Sequence, residues 1–193
     1  MTHESTLVFA PALYGVVYRP RWDKLSADRV AALKQLLASG VDVRELVSPF
    51  GGDISERGLL STKTVTTAGT DALAQAFQGA FTLGNFKFHG FGTGTTAEAA
   101  AHANLVTELT TAYATDSTRP TGSQANGASN SAYKTIATLS PDANCAITEH
   151  GLFSNSTVGQ GVLWDRSVFS AINLVGSSDS LQVTYELTLT ANG

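Results

Sequence analysis

The stretch SLQVTYELTLT, residues 180–190, alternates apolar and polar side chains without a break. Leu181, Val183, Tyr185, Leu187 and Leu189 fall on one side, and Gln182, Thr184, Glu186, Thr188 and Thr190 on the other. Successive side chains of a strand point to opposite faces, so this period of two describes a strand with one face on a core and one in water. A half-solvated face belongs to an antiparallel sheet rather than to a parallel sheet covered on both sides.

Upstream, SAYKTIATLS (131–140), NCAITEHGLFS (144–154) and GVLWDRSVFSAINL (161–174) are further strand candidates, with NSTVGQG (155–161) as a hairpin-like connection. The polar segment TDSTRPTGSQANGASN (115–130) is a long loop, of a length that is usually functional or mobile. Several short strands at this spacing predict a β-sandwich.

Before residue 83 the signals are mixed. Ser26 stands as a helix N-cap, Leu25 and Val30 as its hydrophobic staple, and Val30, Leu33, Leu36 and Leu37 share one face up to Gly40. A second helix follows Thr70, where Leu73, Ala76 and Phe77 repeat at helical spacing. GLLSTKTVTTAG (58–69) predicts a strand, and VSPFGGDISERG (47–58) a loop. The expected fold class is therefore α+β. A mixed helix and strand portion spans residues 1–82, and an antiparallel β-sandwich of jelly-roll or Ig-like kind spans 83–193.

Charged residues make up only 15% of the 193, and the net charge is −4 without a basic block. Nucleic acid and anionic membrane are not expected partners. The opening residues carry Glu4 and no basic stretch before an apolar run that Pro11 interrupts, so neither a secretory signal nor a membrane span is expected. Cys145 is the sole cysteine, which leaves no internal disulfide and no thiolate zinc site; it reads as a small buried apolar residue.

FHGFGTGTTAEAAAHANL (88–105) has the outline of a dinucleotide-binding turn, with Gly92, Gly94 and Ala97 in a G-x-G-x-x-A pattern. The chain then enters a polar loop where a buried strand ending in an acid is needed, so no nucleotide and no other cofactor is expected. The glycines then serve a tight connection, and Thr95-x-x-Glu98 a capping box opening one short helical turn. Glu149 and His150 are adjacent and point to opposite faces of a strand. His150 can meet His89 or His102 across a sheet, and Glu149 can pair with Arg166. No metal-ligand spacing, nucleophile elbow, phosphate loop or calcium loop is present. Trp22, Tyr18 and Trp164 are aromatic candidates for stacking on sugars or for filling core.

Six blocks carry a resemblance: KFHGFGTGTTAEA (87–99), NLVTELTT (104–111), TRPTGSQ (118–124), AITEHGLFS (146–154), LWDRSVFSAINL (163–174) and SLQVTYELTLTANG (180–193). In that order, with STKTVTTAGTDALAQAFQGAF (61–81) upstream, they resemble a family of small structural proteins of tailed bacteriophages. The resemblance runs from about residue 60 to the end. AHANL (101–105) departs from it, standing where a Gly-Asp turn is common.

The resemblance implies a virion protein without enzymatic role, made in the host cytoplasm. Capsid decoration, as a cement protein, comes first, and a neck or tail module that binds a receptor or carbohydrate comes second. Implied partners are the major capsid protein or other virion proteins, and further copies of the chain, as a trimer in particular. Tyr14, Tyr18, Arg21 and Trp22, with Pro11 and Pro20, form a candidate docking segment by composition, or pack under the first helix. A hydrolase using Glu149, Asp165 or His150 is the third reading.

Overall fold

The computed structural model describes residues 6–192, and Glu4 lies outside them. Among these residues the chain forms nine strands and three helices. The strands are β1 (Thr6–Arg19), β2 (Asp53–Ser61), β3 (Thr64–Val65), β4 (Phe88–Gly92), β5 (Ser123–Asn126), β6 (Ala132–Leu139), β7 (Cys145–Phe153), β8 (Leu163–Leu174) and β9 (Ser180–Asn192). The helices are α1 (Ala27–Ala38), α2 (Val43–Phe50) and α3 (Thr67–Phe77).

All strand pairs are antiparallel. One sheet runs β2-β1-β9-β6-β5, the other β3-β8-β7-β4. The strand with the unbroken alternation is central: β9 lies between β1 and β6 and buries Leu181, Val183, Tyr185 and Leu187. These meet Phe91, Ile147, Leu152, Trp164, Ile172 and Leu174 of the second sheet in one apolar cluster. At roughly 1.5–3 kcal/mol for each fully buried large apolar side chain, this shared cluster is the main stabilising contact between the sheets.

The predicted boundary after residue 82 falls between α3 and β4, yet strands from both sides of it share both sheets. β1 pairs along its length with β9, from Thr6 opposite Asn192 to Tyr18 opposite Ser180. β3 pairs with β8 through Thr64–Arg166 and Val65–Asp165.

α1 starts after Ser26 as predicted, although the Ser26 side chain makes no capping hydrogen bond. It ends as predicted too: Gly40 takes φ +76°, and the Gly40 and Val41 amides donate back to the Leu37 and Leu36 carbonyls. Leu33 and Leu37 close a second cluster with Val16, Tyr18, Val43 and Leu46.

Four local expectations fail, the first at the long polar loop of 115–130, which holds β5 paired with β6. The segment expected as a loop at 47–58 holds the end of α2, with Pro49 inside it, and the start of β2. The single strand expected over 58–69 breaks at Lys63, whose φ is +25°, and its last residues open α3 after Thr66. Between Thr95 and Leu105 no helix opens at Thr95, and the backbone makes a single turn closed by the His102 amide on the Ala99 carbonyl at 3.0 Å. Glu98, expected in a capping box, instead accepts a hydrogen bond from the Val168 amide at 2.6 Å.

Candidate functional site

Residues of β7 alternate between the two faces of their sheet, and each face carries its own polar constellation. Glu149 points outward, beneath the glycine-rich connection that follows β4. Its Oε1 accepts from the Gly94 amide at 3.0 Å and the Thr107 amide at 2.7 Å, and its Oε2 from the Val106 amide at 3.1 Å. Arg166 of β8 donates from Nε to Oε2 at 2.8 Å, and both side chains are fully buried. The same guanidinium donates to the Thr96 carbonyl at 2.8 Å and stands 3.3 Å from His102 Nδ1.

The glycine loop therefore does hold an anion, and the anion is the chain's own carboxylate. A Cβ on Gly94 would lie 2.5 Å from Glu149 Oε1, and one on Gly92 would meet both that oxygen and the Thr107 carbonyl. The carboxylate fills the space a ligand phosphate would need.

A second buried arginine fastens the long polar loop. Arg119 binds Glu108 through two donors, at 2.6 and 2.9 Å. From its third nitrogen it reaches the carbonyls of Asn155, Thr157 and Gln160 at 2.8–3.0 Å. Its guanidinium also lies 3.5 Å from the centre of the Phe153 ring. This fork geometry is what a planar guanidinium offers and a lysine does not. Sequence reasoning missed Arg119 and Glu108, because a lone arginine before proline in a polar loop carries no signal of burial.

The inner face of β7 carries His150, whose Nε2 lies 3.0 Å from His89 Nδ1. His89 Nε2 reaches Thr135 of the opposite sheet at 3.3 Å. Both imidazoles are fully buried. Burial, then the nearby Lys63 charge, pulls His89 down to about 3; burial, then His89, then Lys63 hold His150 well below its ordinary value. Of the two partners expected for His150, His89 is the one it meets, while His102 sits on the other side of the sheet beside Arg166.

Next to the histidines lie Asp165, Lys63 and Tyr185, all in the core. Lys63 Nζ is 3.1 Å from the centre of the Tyr185 ring and 4.0 Å from Asp165 Oδ2. Among the described residues no three His, Cys, Asp or Glu side chains gather as a metal site would require. No helix there is long and apolar enough to cross a membrane. Cys145 is half-buried against the main cluster, and burial pushes its thiol up to about 11.

The docking candidates separate. Tyr14 is 42% exposed on β1, opposite the exposed Leu59 of β2. Arg21 is exposed, 3.8 Å from Asp53. Tyr18 is fully buried under α1 and α2 and donates to the Gly51 carbonyl at 2.6 Å, which removes it from any docking surface. Trp22 is half-buried and donates to the Ser178 carbonyl at 3.0 Å. It forms one wall of a cleft of about 550 Å³, with Lys34, Thr115, Thr118, Thr138 and Asp142 around it.

Comparison with family models, curated proteins and solved structures returns no match to this chain.

Proposed function

We propose that the chain is a non-enzymatic structural protein of a tailed-bacteriophage virion, a capsid decoration protein that bridges and stabilises neighbouring capsid subunits. The observation that carries this reading is where the resembling blocks fall. NLVTELTT, TRPTGSQ, AITEHG and LWDRS contain Glu108, Arg119, Glu149 and Arg166 in turn, the buried ion pairs that fasten the outer loops to the second sheet. Residues that resemble a structural family are here the residues that hold loops in shape. Loops bonded to a sheet in this way present a stiff outer surface, and a stiff surface repeated over a lattice adds many modest contacts into a strong one.

The facing sheets and their shared core support a β-sandwich as the building block, with jelly-roll or Ig-like connectivity as its finer form. Of the four docking candidates this reading retains Tyr14 and Arg21, and adds the exposed Leu59 opposite Tyr14. Assembly as a trimer is part of it, and the native mass of the purified protein tests that part.

Quantitative mass spectrometry of purified mature particles tests the reading as a whole. A decoration protein is present in many copies, on the scale of the major capsid protein. Absence from the particle overturns a virion role altogether. The cleft beside Trp22 favours the second reading, a tail or neck module that binds a receptor or carbohydrate, since a fixed indole beside hydroxyls and a carboxylate suits a sugar ring. Presence in only a few copies, together with glycan binding lost in Trp22→Ala, would move the assignment there.

A further inference from the structure

Strand pairing brings Lys63 and Asp165 together. Val65 of β3 lies opposite Asp165 of β8, and Lys63, in the break before β3, turns its side chain into the space between the sheets. Nζ donates to the Ala12 carbonyl of β1 at 3.1 Å, sits over the Tyr185 ring of β9, and stops 4.0 Å from Asp165 Oδ2. Both side chains have no exposure. The Tyr185 hydroxyl and the Leu152 backbone amide face the Asp165 carboxyl, but neither completes a hydrogen bond of full geometry to its oxygens.

This is a poor ion pair. Buried charges regain their lost hydration only through close contact and saturated hydrogen bonding. The Glu149–Arg166 pair nearby meets that condition, with a 2.8 Å contact and three backbone amides on the carboxylate. Lys63–Asp165 does not.

We propose that Lys63 and Asp165 condense into an intramolecular isopeptide bond, a covalent cross-link that the chain makes between the β2–β3 connection and β8. The Lys63 amine attacks the carbon of the Asp165 carboxylic acid. The N–C bond forms, the C–OH bond breaks, one amine proton passes to the departing hydroxyl, and water leaves. No oxidant, reductant or activated donor is consumed.

The surroundings favour each part of this step. Amine and acid are held together by the fold, which replaces a bimolecular encounter. Burial lowers Lys63 to about 7 against the pull of Asp165, and raises Asp165 against the pull of Lys63. Burial thus shifts both groups toward the neutral amine and the neutral acid, the two forms that react. The Tyr185 hydroxyl faces Asp165 and keeps its proton, because burial first and the Asp165 charge second hold it well above the ordinary tyrosine value. It is placed to donate to the oxygen on which negative charge develops. The product amide is uncharged at every pH, so neither position can then hold a buried charge. The bond is independent of where the protein works and of the virion reading.

Intact and peptide mass spectrometry of the purified full-length chain tests it, with K63R measured alongside. The wild type is expected to be lighter than its sequence by one water, after allowance for the initiator methionine, and K63R to show its full mass. A tryptic digest of the wild type should lose cleavage after Lys63 and yield a branched fragment joining the Lys63 and Asp165 peptides. A wild-type chain at full mass, with Lys63 cleavable, overturns the proposal. A water deficit that maps to a succinimide or to another residue pair overturns it equally. The wild-type spectrum decides alone, whether or not the variant folds.

Discussion

At the residue scale, one carboxylate explains why the glycine loop imitates a nucleotide site. Backbone amides at a glycine turn are an anion-binding arrangement whatever the anion is. Glycine and threonine spacing reveals the cradle but not its occupant, because Glu149 arrives from a strand more than fifty residues later. The pairing of Glu149 with Arg166 was legible from the strand candidates. The three amides that Glu149 also gathers were not, since they lie in irregular backbone. Glu149→Gln leaves Arg166 buried without its counter-ion, and loss of one partner of a buried pair costs about 3–5 kcal/mol. Urea unfolding should show that loss as a lower midpoint. Gly94→Ala should destabilise as well, by driving a Cβ into Oε1 of the same carboxylate. The buried histidines add a dependence on pH. In the unfolded chain they take up protons near pH 6.5, whereas folded His89 resists to about pH 3 and folded His150 is held down in the same direction. Their stabilising contribution is complete above pH 6.5 and is lost as the pH falls from there toward 3, at about 1.4 kcal/mol per pH unit for each imidazole. NMR signals of both rings should stay constant from pH 7 to pH 5. A ring titrating near 6.5 would contradict the buried pair.

At the element scale, periodicity locates β6 to β9 and α1 well, misses β1, β5 and the start of β2, and caps the helices unevenly. Ser26 is the N-cap that the pattern predicts, but its side chain makes no capping bond and is exposed. Thr66 falls inside a predicted strand. In the structure it is a fully buried N-cap of α3: Oγ1 accepts from the Gly69 amide at 2.9 Å and donates to the Leu163 carbonyl at 2.5 Å. The β-branched run Thr64-Val65-Thr66-Thr67 suits a strand by propensity, and the change to helix within it depends on docking against β8. Phe77 shows the reverse error. It repeats with Leu73 at helical spacing, yet it is 88% exposed as the last residue of α3, whose buried residues Gly69 and Ala72 lie in its first half. Thr66→Ala should cost about 1–2 kcal/mol and Ser26→Ala close to nothing, since only the first removes cap bonds from a buried site. Parallel thermal melts of the two variants check the contrast. Equal losses would mean that the Thr66 bonds add nothing beyond an ordinary surface cap.

At the scale of the whole molecule, composition suggests two portions, and the hydrogen-bond ladders join them. The change near residue 83 is real in the sequence, where helices give way to strands. Pairing partners obey a different logic. The first strand closes against the last, and a run of residues that reads as an aromatic docking segment becomes the neighbour of β9. Nothing local in β1 announces this. Its Pro11 and Gly15 dilute the alternation, and its partner is at the far end of the chain. Residues 83–193 without the first 82 would therefore lack β1 along all of β9, leaving a long open edge of unpaired backbone groups. They would also lack Leu13, Val17 and Ala72 from the shared cluster, and Thr64 and Val65 beside Arg166 and Asp165. The expected outcome is that this fragment aggregates or shows poorly dispersed amide signals and no cooperative melt. Addition of residues 1–82 in trans should restore both, because the missing strand supplies ladder and core together. A fragment that melts cooperatively by itself would mean that β6 and the second sheet suffice to order β9, and that β1 docks on a sandwich already formed.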